Sequence, residues 1–147
     1  PNINQLMENL TISLLLNIVK ILVTILCIFL INLPRQNSSG PVHPLSLQLI
    51  GIGSCLFMIV TVTLSPLVIT QPQQVAGNVM LGMLVFAIIV MLKNKFTAQS
   101  LIGVVLIWMS GAVGMAVGSG LFMEAILVTF LTYFLLNFLI KNIYSEF

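Results

Sequence analysis

Apolar residues come along this chain in runs too long for a strand and too uniform for the one-sided helix of a water-soluble protein. Five runs stand out, approximately Leu10 to Leu33, Leu45 to Leu64, Val75 to Leu92, Leu101 to Val117 and Leu121 to Ile140. A helix crossing a bilayer needs about 20 mostly apolar residues, and each run meets or approaches that length. Breaker-rich stretches separate them: "PRQNSSGPVHP", "SPLVITQPQQ", "KNKFTAQ" and "GSG". A transmembrane barrel would instead show segments of about ten residues alternating in hydropathy. The pattern predicts an all-α integral membrane protein, a bundle of five transmembrane helices in one domain over residues 1–147.

Composition agrees. With 59% hydrophobic and 5% charged residues and a mean hydropathy of +1.19, the chain cannot clothe a water-facing surface. The net charge of +2 is a matter of loop placement and points to no nucleic-acid partner, which would call for clustered Lys and Arg on a polar domain. Arg35 follows the first run, Lys93 and Lys95 the third, and Lys141 the fifth, so an odd number of crossings puts all four on one side. The positive-inside rule then predicts the N-terminus outside and the C-terminus inside. The first run also has the make-up of an uncleaved signal anchor, and a chain opening at Pro1 is compatible with loss of preceding residues. Cys27 and Cys55 lie within apolar runs and read as small membrane-core residues rather than a disulfide framework.

Small residues carry the next layer. Lipid is as apolar as leucine, so membrane helices associate by close backbone approach, which small residues four apart allow. Ser110, Gly114 and Gly118 have that spacing, with Gly103 and Gly111 near the same face. The fourth run is therefore expected to be the central helix. Gly51 and Gly53 in the second run, and Ala76, Gly77 and Gly82 in the third, offer small surfaces to match. A narrow substrate path lined by exposed backbone is the functional alternative.

Three segments, "GSCLFMIV" (Gly53 to Val60), "PQQVAGNVMLG" (Pro72 to Gly82) and "LIWMSGAVGMAVGSGLFMEA" (Leu106 to Ala125), resemble the membrane domain of the MgtC/SapB family in order and separation. The resemblance runs from about Leu14 to Leu139. It sets Lys20 where the family has a basic residue in its first span and Arg35 where it has the Arg of a Leu-Glu-Arg motif. Pro34 replaces that motif's Glu, the family's Asp near the second connection has no counterpart, and Gln74 stands where an Arg is usual. "VFAII" (Val85 to Ile89) and "IGVV" (Ile102 to Val105) replace a Phe-Leu-Gly-Ala-Gly run and an Asn/Thr-Thr-Ala-Ala motif, and the cytosolic C-terminal domain of many members has no counterpart. The resemblance implies a small inner-membrane protein that acts by binding other membrane proteins. Members are associated with magnesium homeostasis under limitation, with survival inside host cells, and in some cases with restraint of the F-type ATP synthase.

Polar groups within the runs are few. Lys20 lies near the middle of the first, where a charge costs on the order of 3 kcal/mol, so it is expected to face the bundle and to have a partner. Asn17, Lys20, Thr24 and Cys27 follow 3-4-3 spacing and form one polar stripe. Glu124 is the one acid within a run, and Lys20 could snorkel toward it as a neutralising pair. A lipid headgroup or a carbonyl oxygen is an alternative ligand for Lys20, and an ion- or proton-transfer site a third possibility. Asn78, Asn137 and Gln48 read as interhelical hydrogen-bonding groups. His43, between Pro41 and Pro44, has no second ligand at matching spacing, so no metal site is expected. Trp108 and Tyr133 lie well inside their runs, whereas Tyr144 fits an interfacial anchor. The methionines and phenylalanines read as membrane filling, with contacts to lipid, pigment or another subunit as the alternative.

The chain shows no catalytic constellation, phosphate loop or cofactor motif, so it is not expected to be an enzyme. A small transporter would show discontinuous helices or several polar groups near midplane. Two readings lead, a noncatalytic regulator that binds other integral membrane proteins or a second copy of itself, and an accessory subunit of a large respiratory or photosynthetic complex; a small ion or solute transporter is the second alternative. The first implies a bacterial inner membrane, the second an organellar one.

Overall fold

The computed structural model describes residues 2–35, 40–64 and 71–145. Five helices account for nearly all of them: α1 (Ile3–Asn32), α2 (Pro44–Leu64), α3 (Pro72–Lys93), α4 (Ala98–Ser119) and α5 (Phe122–Ser145). Each is long and apolar enough to cross a membrane, and there is no strand among the described residues. A short 3-10 turn, Leu33–Arg35, follows α1.

A helix continues past its apolar run where nothing breaks it, so α1 starts at Ile3 instead of Leu10 and α5 runs on to Ser145. Pro72 occupies the first turn of α3, where its missing N–H costs nothing. Thr97 caps α4 by accepting from the Ser100 N–H, and His43 accepts from the Leu45 N–H at the start of α2 through Nδ1. Gly120, at φ 92°, closes α4: its N–H reaches Val117 O and that of Leu121 reaches Ala116 O. Those two bonds form a Schellman motif, and the left-handed conformation explains the second glycine of "GSG".

Among the described residues, helix α4 touches all four others, whereas α3 touches only α2 and α4, and α2 does not reach α5. The order α5, α1, α2, α3 therefore wraps α4 without closing. The α2–α4 contact is backbone against backbone. A Cβ on Gly114 would collide with the carbonyl of Gly51, and one on Gly118 would lie 2.6 Å from Cys55 O. In the other direction a Cβ on Gly51 would meet the Ile28 side chain and come within 3.2 Å of Ser110 O. Gly111 faces the flexible thioether of Met83 on α3, and Gly103 the side chain of Val42. Around this seam the core is aliphatic: Ile28, Ile31, Leu47, Leu106 and Ile107 are fully buried.

The small residues of α3 behave differently. Gly77 and Gly82, expected at helix contacts, have nothing within 4 Å of a would-be Cβ, and the same holds for Gly53. The reason is the position of α3 at the edge of the bundle, where its glycines look outward. Gly114→Ala is expected to cost on the order of 3 kcal/mol because a fixed backbone blocks the new methyl. Gly82→Ala should shift stability by under about 1 kcal/mol, toward greater stability. Thermal unfolding of both variants in one detergent checks the contrast, and equal losses would contradict it.

Candidate functional site

Polar chemistry collects at the end of the bundle where α4 gives way to α5. Once Ala116 O and Val117 O are taken by the Schellman bonds, Gly118 O is left as an orphan helix-terminal carbonyl. Lys20 of α1 reaches it, its Nζ donating to Gly118 O at 3.1 Å. A cation at the negative end of a helix is favoured by the aligned peptide dipoles as well as by the hydrogen bond. Thr24, one turn along α1, is fully buried and donates to Lys20 O at 2.9 Å.

The expected Lys20–Glu124 pair does not form. Glu124 is exposed in the first turn of α5, and the ligand of Lys20 is the carbonyl. The physical reason is that each charge has a helix end suited to it: the ammonium sits at the C-terminus of α4, the carboxylate at the N-terminus of α5.

The level of this cap shows how α1 is placed. Ile28 packs against Gly51 and Lys20 meets Gly118, so only the second half of α1 lies along the bundle. Every residue from Asn2 to Leu16 is exposed, and Asn17 is half-buried. At about 1.5 Å per residue, the helix from Ile3 to Val19 reaches about 25 Å past the end of α4. Leu6, Leu10, Leu14 and Leu15 on this arm are 55–62% exposed. The stripe Asn17, Lys20, Thr24 and Cys27 continues into it at the same alternating spacing as Ser13, Leu10 and Leu6. The packed face of α1 thus runs on, above the end of α4, with none of this chain's described residues against it.

A second feature is a groove of about 720 Å³ between α2 and α3, open at the side of the bundle. Leu49, Phe57, Val60, Leu64 and Phe86 make its apolar walls, Gly53 and Gly82 leave it deep, and Asn78 looks into it. Among the described residues, none lining it is titratable. Ser54 and Thr61 also line it, but their hydroxyls donate to Ile50 O and Phe57 O on their own helix. Asn78 is exposed and makes no intrachain side-chain hydrogen bond among the described residues.

Most other polar groups inside the spans are satisfied locally. Thr24, Ser54, Thr61, Thr63, Ser110, Ser119, Thr129 and Thr132 each donate to the carbonyl four residues back at 2.6–2.9 Å. Such bonds neutralise the hydroxyl without linking helices. Asn137 is exposed and Gln48 half-buried, and among the described residues neither forms the interhelical bond expected of it. Trp108 and Tyr133 are half-buried. Lys93, Lys95 and Lys141 lie at the end of the bundle where α3 and α5 finish, while the side chains of Arg35 and Tyr144 lie outside the described residues. Cys27 and Cys55 are free and buried, and no group of three or more His, Cys, Asp or Glu that could hold a metal occurs among the described residues.

Pattern reading missed the groove and the arm. The arm was legible in one respect, since the 3-4 spacing continues unbroken to Leu6; the groove needed the separation of α2 from α3, which no spacing reveals.

Comparison with known proteins gives one family: the model of the MgtC family matches residues 21–143. No curated protein and no solved structure matches the chain. The matched region begins beside Lys20, so the exposed arm of α1 lies outside it.

Lys20→Met should lower stability by about 2 kcal/mol, the worth of a charged hydrogen bond at a helix terminus, and Lys20→Arg should recover much of it. Exchanging the charges, Lys20→Glu with Glu124→Lys, should not restore what Lys20→Glu loses. Unfolding midpoints in detergent measure all four variants, and restoration by the exchange would reinstate the ion pair.

Proposed function

We propose that this chain, which belongs to the MgtC family, is a noncatalytic membrane protein that works through helix–helix contacts with other membrane proteins. The free half of α1 is the contact element. One observation carries the reading: the first half of α1, exposed at every position from Asn2 to Leu16, continues past the end of α4. None of this chain's described residues covers that arm, and Leu6, Leu10 and Ser13 share one face of it at the 3-4 spacing of packed helices. A helix of a partner laid along this face meets the end of α4 and the Lys20 cap.

The polar groups support a binding role over chemistry or transport. Lys20 is committed to a backbone carbonyl, most serine and threonine hydroxyls of the spans are tied to their own helices, and Glu124 is exposed. What remains is shape and apolar surface, the means by which membrane helices select one another. We place the N-terminal end outside, with Lys93, Lys95 and Lys141 toward the inner side by the positive-inside rule.

A second reading, a structural subunit of a large membrane complex, is favoured by α5. Phe130, Phe134 and Phe138 stand in one row at four-residue spacing and are 62–77% exposed. A subunit seated among others would bury such a row.

A photo-crosslinking residue at Leu10 in native membranes is expected to give an adduct with a discrete membrane protein, and Ser13→Leu is expected to reduce that adduct at least tenfold while the protein still accumulates. Adducts with lipid alone would overturn the proposal. An adduct from Phe134 within a stoichiometric complex, with none from Leu10, would select the subunit reading.

A further inference from the structure

We propose that the groove between α2 and α3 is a binding site for one acyl chain of a phospholipid, with the Asn78 amide donating to the lipid's ester carbonyl.

The size of the groove selects the occupant. Its α2 wall runs from Leu49 to Leu64, about 22 Å at 1.5 Å per residue, the length of an extended acyl chain. The groove is long, apolar and open to the side, a shape that suits an extended, unbranched hydrocarbon chain. Its depth depends on Gly53 of α2 and Gly82 of α3, which both line it with open space at each would-be Cβ. A side chain at either position would fill the slot.

The chemistry along the groove is graded as a glycerolipid requires. From Gly82 to Phe86 its α3 wall is apolar. Asn78 comes one turn, about 6 Å, before Gly82, and lies about 9 Å inside the Pro72 end of the helix. That depth suits the ester region beneath a headgroup. An amide turned to hydrocarbon without a partner costs free energy, and in this groove only Asn78 has a side-chain donor not already tied to its own helix. An ester carbonyl, an acceptor with no donor of its own, takes that N–H. With no titratable group along the lining, the groove makes no demand on headgroup charge.

The comparison surface is the second groove, between α4 and α5, about 400 Å³ and lined by Leu101, Val105, Leu131, Leu135 and Leu139 among others. Thr132 is the one polar side chain there and is bonded to Val128 O. It offers no donor, so it should exchange lipid freely.

The test is native mass spectrometry of the full chain, exchanged from detergent into nanodiscs of palmitoyl-oleoyl phosphatidylglycerol or phosphatidylethanolamine and released. One phospholipid per chain should survive release, with either headgroup. Gly53→Leu with Gly82→Leu should cut its occupancy at least tenfold, and Asn78→Leu at least threefold. Val105→Leu in the other groove should leave occupancy unchanged. Circular dichroism and unfolding midpoints show that the variants fold, as the open space at both glycines predicts. Equal occupancy in all variants would mean annular lipid only and would overturn the site, as would a photo-crosslink from Phe86 to a protein in native membranes. Palmitate bound as tightly as phospholipid would remove the ester contact and overturn the role of Asn78. None of these outcomes bears on the α1 arm, which is read out separately.

Discussion

The α2 and α4 backbones touch, and the rest of the bundle is arranged around that contact. In lipid there is little to gain from pressing leucine against leucine, so a tight pair has to come from dispersion between main-chain atoms at short range. Gly114 against Gly51 O and Gly118 against Cys55 O supply it at two successive turns of parallel helices. With α2 held so close, Ile28 of α1 can close over Gly51, and Met83 of α3 can fill the hollow left by Gly111.

The same contact has a consequence at the end of α4. A helix thinned of side chains leaves its last carbonyls open to approach, and the long lysine of the neighbouring α1 reaches Gly118 O there. That bond fixes α1 in register with α4, and the register leaves the first half of α1 beyond the bundle. It also leaves α3, held only by α2 and α4, at the margin with a slot beside it. The arm and the slot thus follow from one packing decision. The arm offers a face of Leu6, Leu10 and Ser13; the slot offers glycine depth and one amide.

Much of the architecture was readable from residues alone. Run length predicts five membrane helices, and the four-residue spacing of Ser110, Gly114 and Gly118 picks out α4 as the central one, because both rest on local geometry that the chain carries with it. The glycines of α3 show the limit of that reasoning. Gly82 and Gly114 look alike in sequence, and only the neighbours differ: a carbonyl faces one and open space the other. Lys20 shows another limit. Opposite charge suggested Glu124, but helix-terminal carbonyls are invisible to a search for charged residues, although Gly120 marks where they occur. Asn78 was legible as a polar group needing a partner, while the direction it faces depends on α3 standing at the edge.

The most direct test of the central contact uses the native glycines as probes. With the amide nitrogens of glycine labelled, NMR spectra of the protein in lipid are recorded with and without a paramagnetic agent dissolved in the hydrocarbon. The signals of Gly51, Gly111, Gly114 and Gly118 should stay sharp while Gly77 and Gly82 broaden. Broadening of Gly114 and Gly118 to the same extent as Gly82 would put α4 against lipid and contradict the account.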